Sequence, residues 1–317
     1  MDPFKRVEIG STGLYVTRMG LGARGIVDPN VKVSDVQATT TVETSLEMGI
    51  NYIDTSPRYG LGRSEQFVGQ VVSHKDRDSF VLSTKVGRLL DPDAKGGWYW
   101  DFSADGVRRS LQSSLERLNL DWVEILFIHS PTNHHDVAIS ETYPALAEMR
   151  SSGIVKAIGV GMTDSRKLLR FAQEGDFDCF LLAGRYTLLD QGALAEFLPY
   201  CYEHNIGIIL GGAYNSGILA SDLGPDSYYD YRVAPATILE KARRIRDVCV
   251  RYNVPLKAAA LQFVLAHPAV TSVIPGSSYP EHVKDNVAMI QYDIPSDLWG
   301  ELRGEGLIAD GAPVPPH

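Results

Sequence analysis

Short apolar runs rich in valine and isoleucine alternate along the chain with longer stretches of mixed polarity. Repetition of a buried strand followed by an amphipathic helix is typical of βα units around a parallel sheet. The apolar runs predict eight strands, at residues 19–22, 52–54, 80–85, 123–129, 155–160, 179–183, 207–210 and 272–274.

Helical periodicity fills several of the intervals between these strands. It is found at residues 34–48, 103–118, 164–173 and 238–252, and a serine or aspartate opens several of these segments as an N-cap. Leu111, Leu115 and Leu118 repeat at helical spacing, which predicts a stripe facing the core. Eight strands with helices between them favour an α/β fold of the (β/α)8 TIM barrel type.

An open Rossmann sheet is the alternative fold. Residues 20–25, Gly-Leu-Gly-Ala-Arg-Gly, only approximate the glycine pattern of a dinucleotide-binding turn, and the acidic residue expected after it falls in a predicted helix. No break in composition divides the 317 residues, of which 44% are hydrophobic. We therefore expect a single barrel domain over residues 1–317.

Charge and cysteine usage narrow the class of protein. The net charge is −9 and the basic residues are scattered, which argues against nucleic acid and anionic membranes as partners. Cys179, Cys201 and Cys249 are widely spaced and predict buried free thiols. The chain begins without an apolar targeting segment and contains no run of 18 apolar residues. We expect a cytoplasmic protein whose partner is a small-molecule substrate, and the oligomeric state stays open.

Four polar residues lie where predicted strands end. Asp54, Lys85 and His129 close the second, third and fourth strands, and Tyr59 lies in the loop after the second. Each has an ordinary explanation alone, such as a helix cap or a satisfied core histidine. In an α/β barrel, however, the carboxyl ends of neighbouring strands face one mouth, which is where such barrels carry their active sites.

These four residue types fit proton transfer coupled to hydride transfer. Reduction of a carbonyl needs a proton donor for the developing alkoxide, and the reverse reaction needs a base. A phenol is a weak base at its ordinary pKa of about 10. We expect Lys85, held by Asp54, to lower the pKa of Tyr59 toward neutral pH, and His129 to orient the substrate oxygen. This chemistry requires no metal.

Three segments resemble the aldo-keto reductase superfamily. They are residues 51–60, Asn-Tyr-Ile-Asp-Thr-Ser-Pro-Arg-Tyr-Gly, residues 82–85, Leu-Ser-Thr-Lys, and residues 126–129, Leu-Phe-Ile-His. The resemblance extends from Val7 to about Ile290. It implies an NAD(P)-dependent oxidoreductase with Asp54, Tyr59, Lys85 and His129 as its catalytic tetrad.

The resemblance also implies cofactor contacts after the first, fifth, sixth, seventh and eighth strands. The family's Ser-Asn pair after strand five is replaced here, so only Thr163 is expected to contact the carboxamide. Tyr186 resembles an aromatic that stacks on nicotinamide, with barrel packing as its alternative role. The expected contacts are Gly22, Thr163, Arg185, Tyr186, Gly211, Gly212, Ala213, Tyr214, Asn215, Gly217, Ile274, Gly276, Ser277, Ser278, His282, Asp285 and Asn286.

The resemblance further implies which cofactor is used. Relatives that use NADP(H) commonly carry a lysine and an arginine where Gly276 and His282 stand here. Loss of two positive charges removes charge-assisted contacts to a 2′-phosphate. We expect NAD(H) to be preferred and NADP(H) to be the second cofactor, with Lys284 as a compensating cation.

Two aromatic loops are expected at the mouth. Trp98, Tyr99, Trp100 and Tyr228 are candidates for substrate binding, although such loops also fold onto a barrel through their own aromatic residues. Residues 56–65, 98–102 and 211–219 look most like the aldose 1-dehydrogenase group, which includes L-fucose, L-galactose and pyridoxal 4-dehydrogenases. This implies oxidation of a cyclic hemiacetal, such as the anomeric hydroxyl of L-fucose. A general NADPH-dependent aldehyde or ketone reductase and a non-catalytic subunit like the potassium-channel β subunits are the alternatives.

Overall fold

The computed structural model describes residues 1–316, which form a barrel of eight parallel strands surrounded by helices. The barrel strands are β1 (Leu21–Gly22), β2 (Tyr52–Asp54), β3 (Val81–Val86), β4 (Ile125–His129), β5 (Ala157–Met162), β6 (Cys179–Ala183), β7 (Gly207–Gly211) and β8 (Val270–Ile274). Each strand pairs in parallel with the next one in sequence. The predicted fold is therefore confirmed.

Closure of the barrel depends on contacts between its first and last strands. Met19 bridges to Val273 and Gly22 to Gly276, both in parallel. A Cβ on Gly22 would lie 2.7 Å from the carbonyl oxygen of Ile274, so only glycine allows this approach. Closure leaves no exposed sheet edge and brings the carboxyl ends of all eight strands around one mouth.

Helices pack around the outside of the barrel. They are α1 (Asp35–Glu47), α2 (Arg63–Val72), α3 (Ala104–Leu118), α4 (Tyr143–Ser151), α5 (Ser165–Glu174), α6 (Phe197–Glu203), α7 (Ala236–Arg251), α8 (Leu256–Leu265), α9 (Pro280–Gln291) and α10 (Ser296–Gly304). Ser34, Ser103 and Asp164 cap α1, α3 and α5 through their side chains. The four predicted helices are confirmed with bounds that shift by two residues at most. None of the helices in the described part of the chain is long and apolar enough to cross a bilayer.

The structure also contains three hairpins that the sequence analysis did not predict. They pair Arg6–Glu8 with Tyr15–Thr17, Arg88–Leu90 with Trp98–Trp100, and Tyr228–Tyr229 with Arg232–Val233. The first hairpin covers the amino-terminal end of the barrel, where Ile9, Leu14 and Val16 join the inward residues of the strands in one apolar cluster. The other two follow β3 and β7, at the opposite end. The apolar cap on one end leaves the carboxyl end as the place for polar side chains.

Candidate active site

The inward positions at the carboxyl ends of β2, β3 and β4 carry the polar residues of the site. Alternate residues of a strand point to the same side, so Ile125 and Phe127 of β4 lie in the apolar filling of the barrel and His129 is the next inward position. The same alternation places Asp54 and Lys85 inward at the ends of their strands. The fold thus brings these three predicted residues to one mouth.

Asp54 and Lys85 form a buried ion pair. Lys85 Nζ lies 2.7 Å from both Oδ1 and Oδ2 of Asp54, and it also donates to the carbonyl oxygen of Thr55 at 2.8 Å. The hydroxyl of Ser83 donates to Asp54 Oδ1 at 2.8 Å. Each charged side chain is only 2% exposed. Burial lowers the pKa of Lys85, but Asp54 and Tyr59 together outweigh burial and the net pKa is raised, so the ammonium keeps its charge.

Tyr59 reaches this ion pair from the loop after β2. Lys85 Nζ lies 4.7 Å from the centroid of the Tyr59 ring, and that ring meets the ring of His129 edge-on at 6.1 Å. Removal from water raises the pKa of Tyr59, and Lys85 lowers it by less. The expectation that Lys85 brings the pKa of Tyr59 down toward neutral pH is therefore wrong for the protein chain by itself, because burial outweighs the ammonium. Tyr59 is a neutral phenol near pH 7.

His129 is held as a neutral imidazole. Burial, followed by the charges of Arg88, Lys85 and Arg58, lowers its pKa well below the ordinary value. The Ser56 hydroxyl lies 3.0 Å from His129 Nδ1 and accepts a hydrogen bond from the backbone N–H of Arg58. The hydroxyl keeps its own proton to donate to Nδ1, and in that tautomer the ring proton lies on Nε2. A neutral Nε2–H donor suits the orientation of a substrate oxygen.

The loops after β1 and β8 meet closely beside this mouth. A Cβ on Gly25 would lie 2.5 Å from the backbone nitrogen of Ser277, so glycine is required there. Tyr214 donates to Asn286 Oδ1 at 2.7 Å, and Asn286 donates to the Ser277 hydroxyl at 3.2 Å. These bonds join the loops after β7 and β8, which carry most of the predicted cofactor contacts.

One predicted cofactor residue carries an unused polar atom. Asn215 donates from Nδ2 to the carbonyl oxygen of Gly184 at 3.0 Å, while its Oδ1 is buried without a partner in the described chain. A buried acceptor without a donor is costly, and ligand groups commonly satisfy such atoms. This atom is a suitable acceptor for a donor group such as the amide of a nicotinamide dinucleotide.

The hairpin after β7 spans the same region. Asp230, at its turn, accepts from Arg185 at 3.0 and 2.7 Å. Its neighbour Tyr231 lies under the guanidinium of Arg24, 4.5 Å from the ring centroid. Arg185 follows β6 and Arg24 follows β1, so the hairpin tip passes over the ends of β7 and β8. The guanidinium of Arg185 is therefore engaged by Asp230, and this ion pair fixes the hairpin to the loop after β6.

Tyr186 requires a correction. The structure buries it completely, with its ring stacked on Phe263 at 5.3 Å and in edge contact with His267. The ring belongs to the core between the barrel and α8, so it does not face the mouth where nicotinamide stacking was expected. The packing role, which the sequence left as the alternative, is the one that the structure shows.

The remaining predicted cofactor residues lie near the mouth with varied exposure. Thr163 is exposed just after β5, and Gly276 and His282 are exposed beyond β8. Asp285 forms an ion pair with Lys257 of α8, a cation that the sequence analysis missed. Gly212 and Gly217 are exposed, whereas Gly22, Gly211, Ala213, Ile274 and Ser278 are buried.

The aromatic residues of the second hairpin divide into two sets. Trp98 and Trp100 lie on one face and contact each other edge-on at 4.8 Å. Tyr99 points the other way, and its hydroxyl accepts from Arg109 of α3 at 3.3 Å. This outward direction removes Tyr99 from the candidate substrate contacts. Tyr228 is 50% exposed in the third hairpin.

Several residues of the site were missed by sequence reasoning. Ser56 lies inside the segment that carried the family resemblance, so its position directly after β2 was an available signal. Asp230 and Lys257 gave no such signal, since their partners lie 45 and 28 residues away in sequence. Across residues 1–316, His, Cys, Asp and Glu side chains form no cluster of three or more that suits a metal ion.

Comparisons with known proteins agree with this geometry. The model of the aldo/keto reductase family matches residues 18–304. The chain is 39% identical to a D-threo-aldose 1-dehydrogenase of a Pseudomonas species, over 94% of this chain and 96% of that protein. It is 36% identical to a pyridoxal 4-dehydrogenase of Microbacterium luteolum, over 95% and 97% of the two chains.

A solved structure supports the same assignment. The holo form of an aldo-keto reductase from Bacillus halodurans superposes with a TM-score of 0.82 at 26% identity, covering 95% of this chain and 96% of that one. Enzymes of this family use nicotinamide cofactors. The protein is therefore an oxidoreductase that belongs to the aldo/keto reductase family.

Proposed function

We propose that this protein uses a nicotinamide cofactor, preferably NAD(H), to oxidise the anomeric hydroxyl of an aldose such as L-fucose to the lactone. The observation that carries the proposal is the arrangement of Tyr59 beside the Asp54–Lys85 ion pair and the neutral His129. The two relatives above, one named for aldose oxidation and one for pyridoxal oxidation, support a hemiacetal as the reacting group.

The four residues have separate roles in the oxidation of the substrate's anomeric hydroxyl. His129 donates from Nε2 to the substrate oxygen and orients it, and Tyr59 exchanges the hydroxyl proton. Lys85 favours the phenolate of Tyr59, and Asp54 keeps Lys85 charged and fixed. A bound nicotinamide supplies the hydride acceptor for C1. Asn215 and the loops after β7 and β8 would hold it.

A preference for NAD(H) is supported at the end of the site beyond β8. Lys257 is paired with Asp285, so its charge is already neutralised there. Gly276 carries no charge, and partial removal of the His282 ring from water lowers its pKa, which keeps this imidazole neutral near pH 7. Lys284 is the remaining nearby cation in sequence. Few charged side chains are therefore left at this end of the site to bind the dianionic 2′-phosphate of NADP(H).

Pyridoxal is the second candidate substrate, because the relative from Microbacterium luteolum is named for it. The test is reduction of NAD+ measured across a panel of aldoses and pyridoxal with the purified protein. Turnover of an aldose, L-fucose among those tested, supports the proposal. Turnover of pyridoxal with no aldose active would replace the sugar but keep the hemiacetal chemistry. Activity confined to NADPH-driven reduction of open-chain aldehydes would overturn both.

A further inference from the structure

Two arginines flank one tryptophan at the mouth. The guanidinium carbons of Arg58 and Arg88 lie 5.0 and 5.1 Å from the centroid of the Trp98 ring. Arg88 also lies 4.3 Å from the centroid of Trp100, its partner across the hairpin. Arg58 and Arg88 are called the guanidinium pair below.

The guanidinium pair belongs to the same mouth as the tetrad. Arg58 directly precedes Tyr59, and Arg88 follows Lys85 by three positions at the start of the hairpin after β3. Both charges act on His129 and lower its pKa. They therefore lie on the substrate side, away from the loops after β7 and β8 that fit the cofactor.

Neither member of the guanidinium pair has a counterion. Among residues 1–316, no carboxylate lies within 4.0 Å of either group, and neither side chain donates a hydrogen bond. The Nε of each is buried without an acceptor. Arg117 shows the usual arrangement, in which its Nε donates to Glu65 at 2.6 Å. The Nε of Arg77 is also buried without an acceptor, but that guanidinium is paired with Glu124 at 2.7 Å.

The absence of a counterion beside Arg58 and Arg88 points to a ligand that would supply the missing negative charge. A partly buried cation without a partner costs free energy, and such groups persist where a ligand completes them. Burial, and then the charge of Arg58, lowers the pKa of Arg88 to about 10, so the group is still charged near pH 7. The whole chain carries a net charge of −9, so the positive mouth is a local feature.

We propose that the guanidinium pair binds an anionic oxygen group, a carboxylate or a phosphate, that the substrate carries away from its reacting carbon. A guanidinium presents several donors in a plane that matches either group. Trp98 contacts both guanidinium groups, so its ring gives them a common support. The inference rests on the proposed oxidation of a hemiacetal and deepens it, since acidic aldoses become the preferred substrates.

The first test compares sugars of one configuration. Rates with NAD+ are measured for L-galactose, L-galacturonate and L-galactose 6-phosphate, which share the configuration of L-fucose, with the native protein and with Arg58→Met and Arg88→Met. One charge-assisted contact corresponds to about tenfold or more in kcat/KM. We expect the native protein to prefer one anionic sugar by at least that factor, and each variant to lose most of the preference. Preference for the uronate identifies a carboxylate, and preference for the phosphate ester identifies a phosphate.

The second test does not depend on turnover. Methyl β-L-galacturonoside and methyl β-L-galactoside cannot be oxidised at C1, and their Kd values are measured by titration calorimetry with the holoenzyme. Tighter binding of the anionic glycoside, weakened about tenfold in Arg88→Met and partly kept in Arg88→Lys, supports the inference even if no aldose is oxidised. Arg6→Met removes an exposed charge from the opposite end of the barrel and is the matched control.

Two results would overturn the inference. One is a native protein that oxidises neutral aldoses without binding the anionic glycoside better than the neutral one. The other is an anionic preference that Arg58→Met and Arg88→Met leave intact. Thermal unfolding of each variant shows whether a loss comes from misfolding, and retention by Arg88→Lys separates charge from side-chain volume.

Discussion

The Nζ of Lys85 contacts both carboxylate oxygens of Asp54 at the same distance, 2.7 Å, inside a site where each side chain is 2% exposed. The pair spans β3 and β2, whose hydrogen-bonded register sets Asp54 beside Ser83 and so places Lys85 just beyond it. A buried ion pair of this geometry adds little to the free energy of unfolding, because the cost of removing both ions from water offsets much of their attraction. Its main effect is to hold the Lys85 charge in a fixed position. Its value to the protein lies in what it does to Tyr59.

Replacement of Tyr59 by phenylalanine removes the hydroxyl and keeps the ring. We expect kcat for aldose oxidation to fall by about 10²- to 10⁴-fold, the usual contribution of a general acid or base. The Kd of NAD+, measured by fluorescence titration, should change little, since the cofactor contacts come from other loops. Turnover near the native level with an intact fold would show that another group exchanges the proton.

The rate of oxidation should rise with pH. Tyr59 must accept a proton, and burial raises the pKa of its phenol above the ordinary value of 10. The reactive phenolate therefore increases tenfold for each pH unit below that pKa, and log kcat/KM for oxidation should climb with a slope near one from pH 7 to 9. Reduction, which uses the neutral phenol, should stay flat over this range. A plateau of the oxidation rate at pH 7 would contradict the assignment.

The ion pair predicts a double-mutant cycle. Lys85→Met leaves the Asp54 carboxylate buried and unpaired, which should destabilise the fold by about 3–5 kcal/mol. Combining it with Asp54→Asn removes the unpaired charge and should restore much of the stability, while oxidation stays impaired in both variants. Urea unfolding and steady-state kinetics measure the two effects. Stability unchanged in Lys85→Met would mean that the pair is not formed as described.

Cofactor choice should depend on the pairing of Lys257 with Asp285. We expect kcat/KM for NAD+ to exceed that for NADP+ by about tenfold, the weight of one charge-assisted contact. Asp285→Asn frees the Lys257 ammonium and should shift the ratio toward NADP+. Lys284→Met is the matched variant and should reduce whatever NADP+ activity the native protein has. A native preference for NADP+ would show that Lys284 or another cation compensates for Gly276.

The pattern of apolar runs along the chain was enough to predict the barrel and the residues at the strand ends of the site. The apolar runs predicted all eight strands to within a few residues. Strands of a closed parallel barrel are buried on both faces and therefore consist largely of apolar residues, which makes them visible in the sequence. Once each strand is placed, period-two alternation fixes which side chains point inward. Asp54, Lys85 and His129 were therefore predictable as neighbours, and the place of Tyr59 in the short loop after β2 assigned it to the same mouth.

The contacts made by the loop residues depend on tertiary packing and could not be predicted from the sequence. Tyr186 was expected at the cofactor but lies in the core, because Phe263 of α8, far away in sequence, offers it a stacking partner. Arg185 is tied to Asp230, and Lys257 to Asp285, by contacts that no local pattern encodes. The pKa of Tyr59 depends on the balance between burial and the Lys85 charge, and that balance exists only in three dimensions. Long-range packing sets each of these, whereas strand periodicity is local and can be read along the chain.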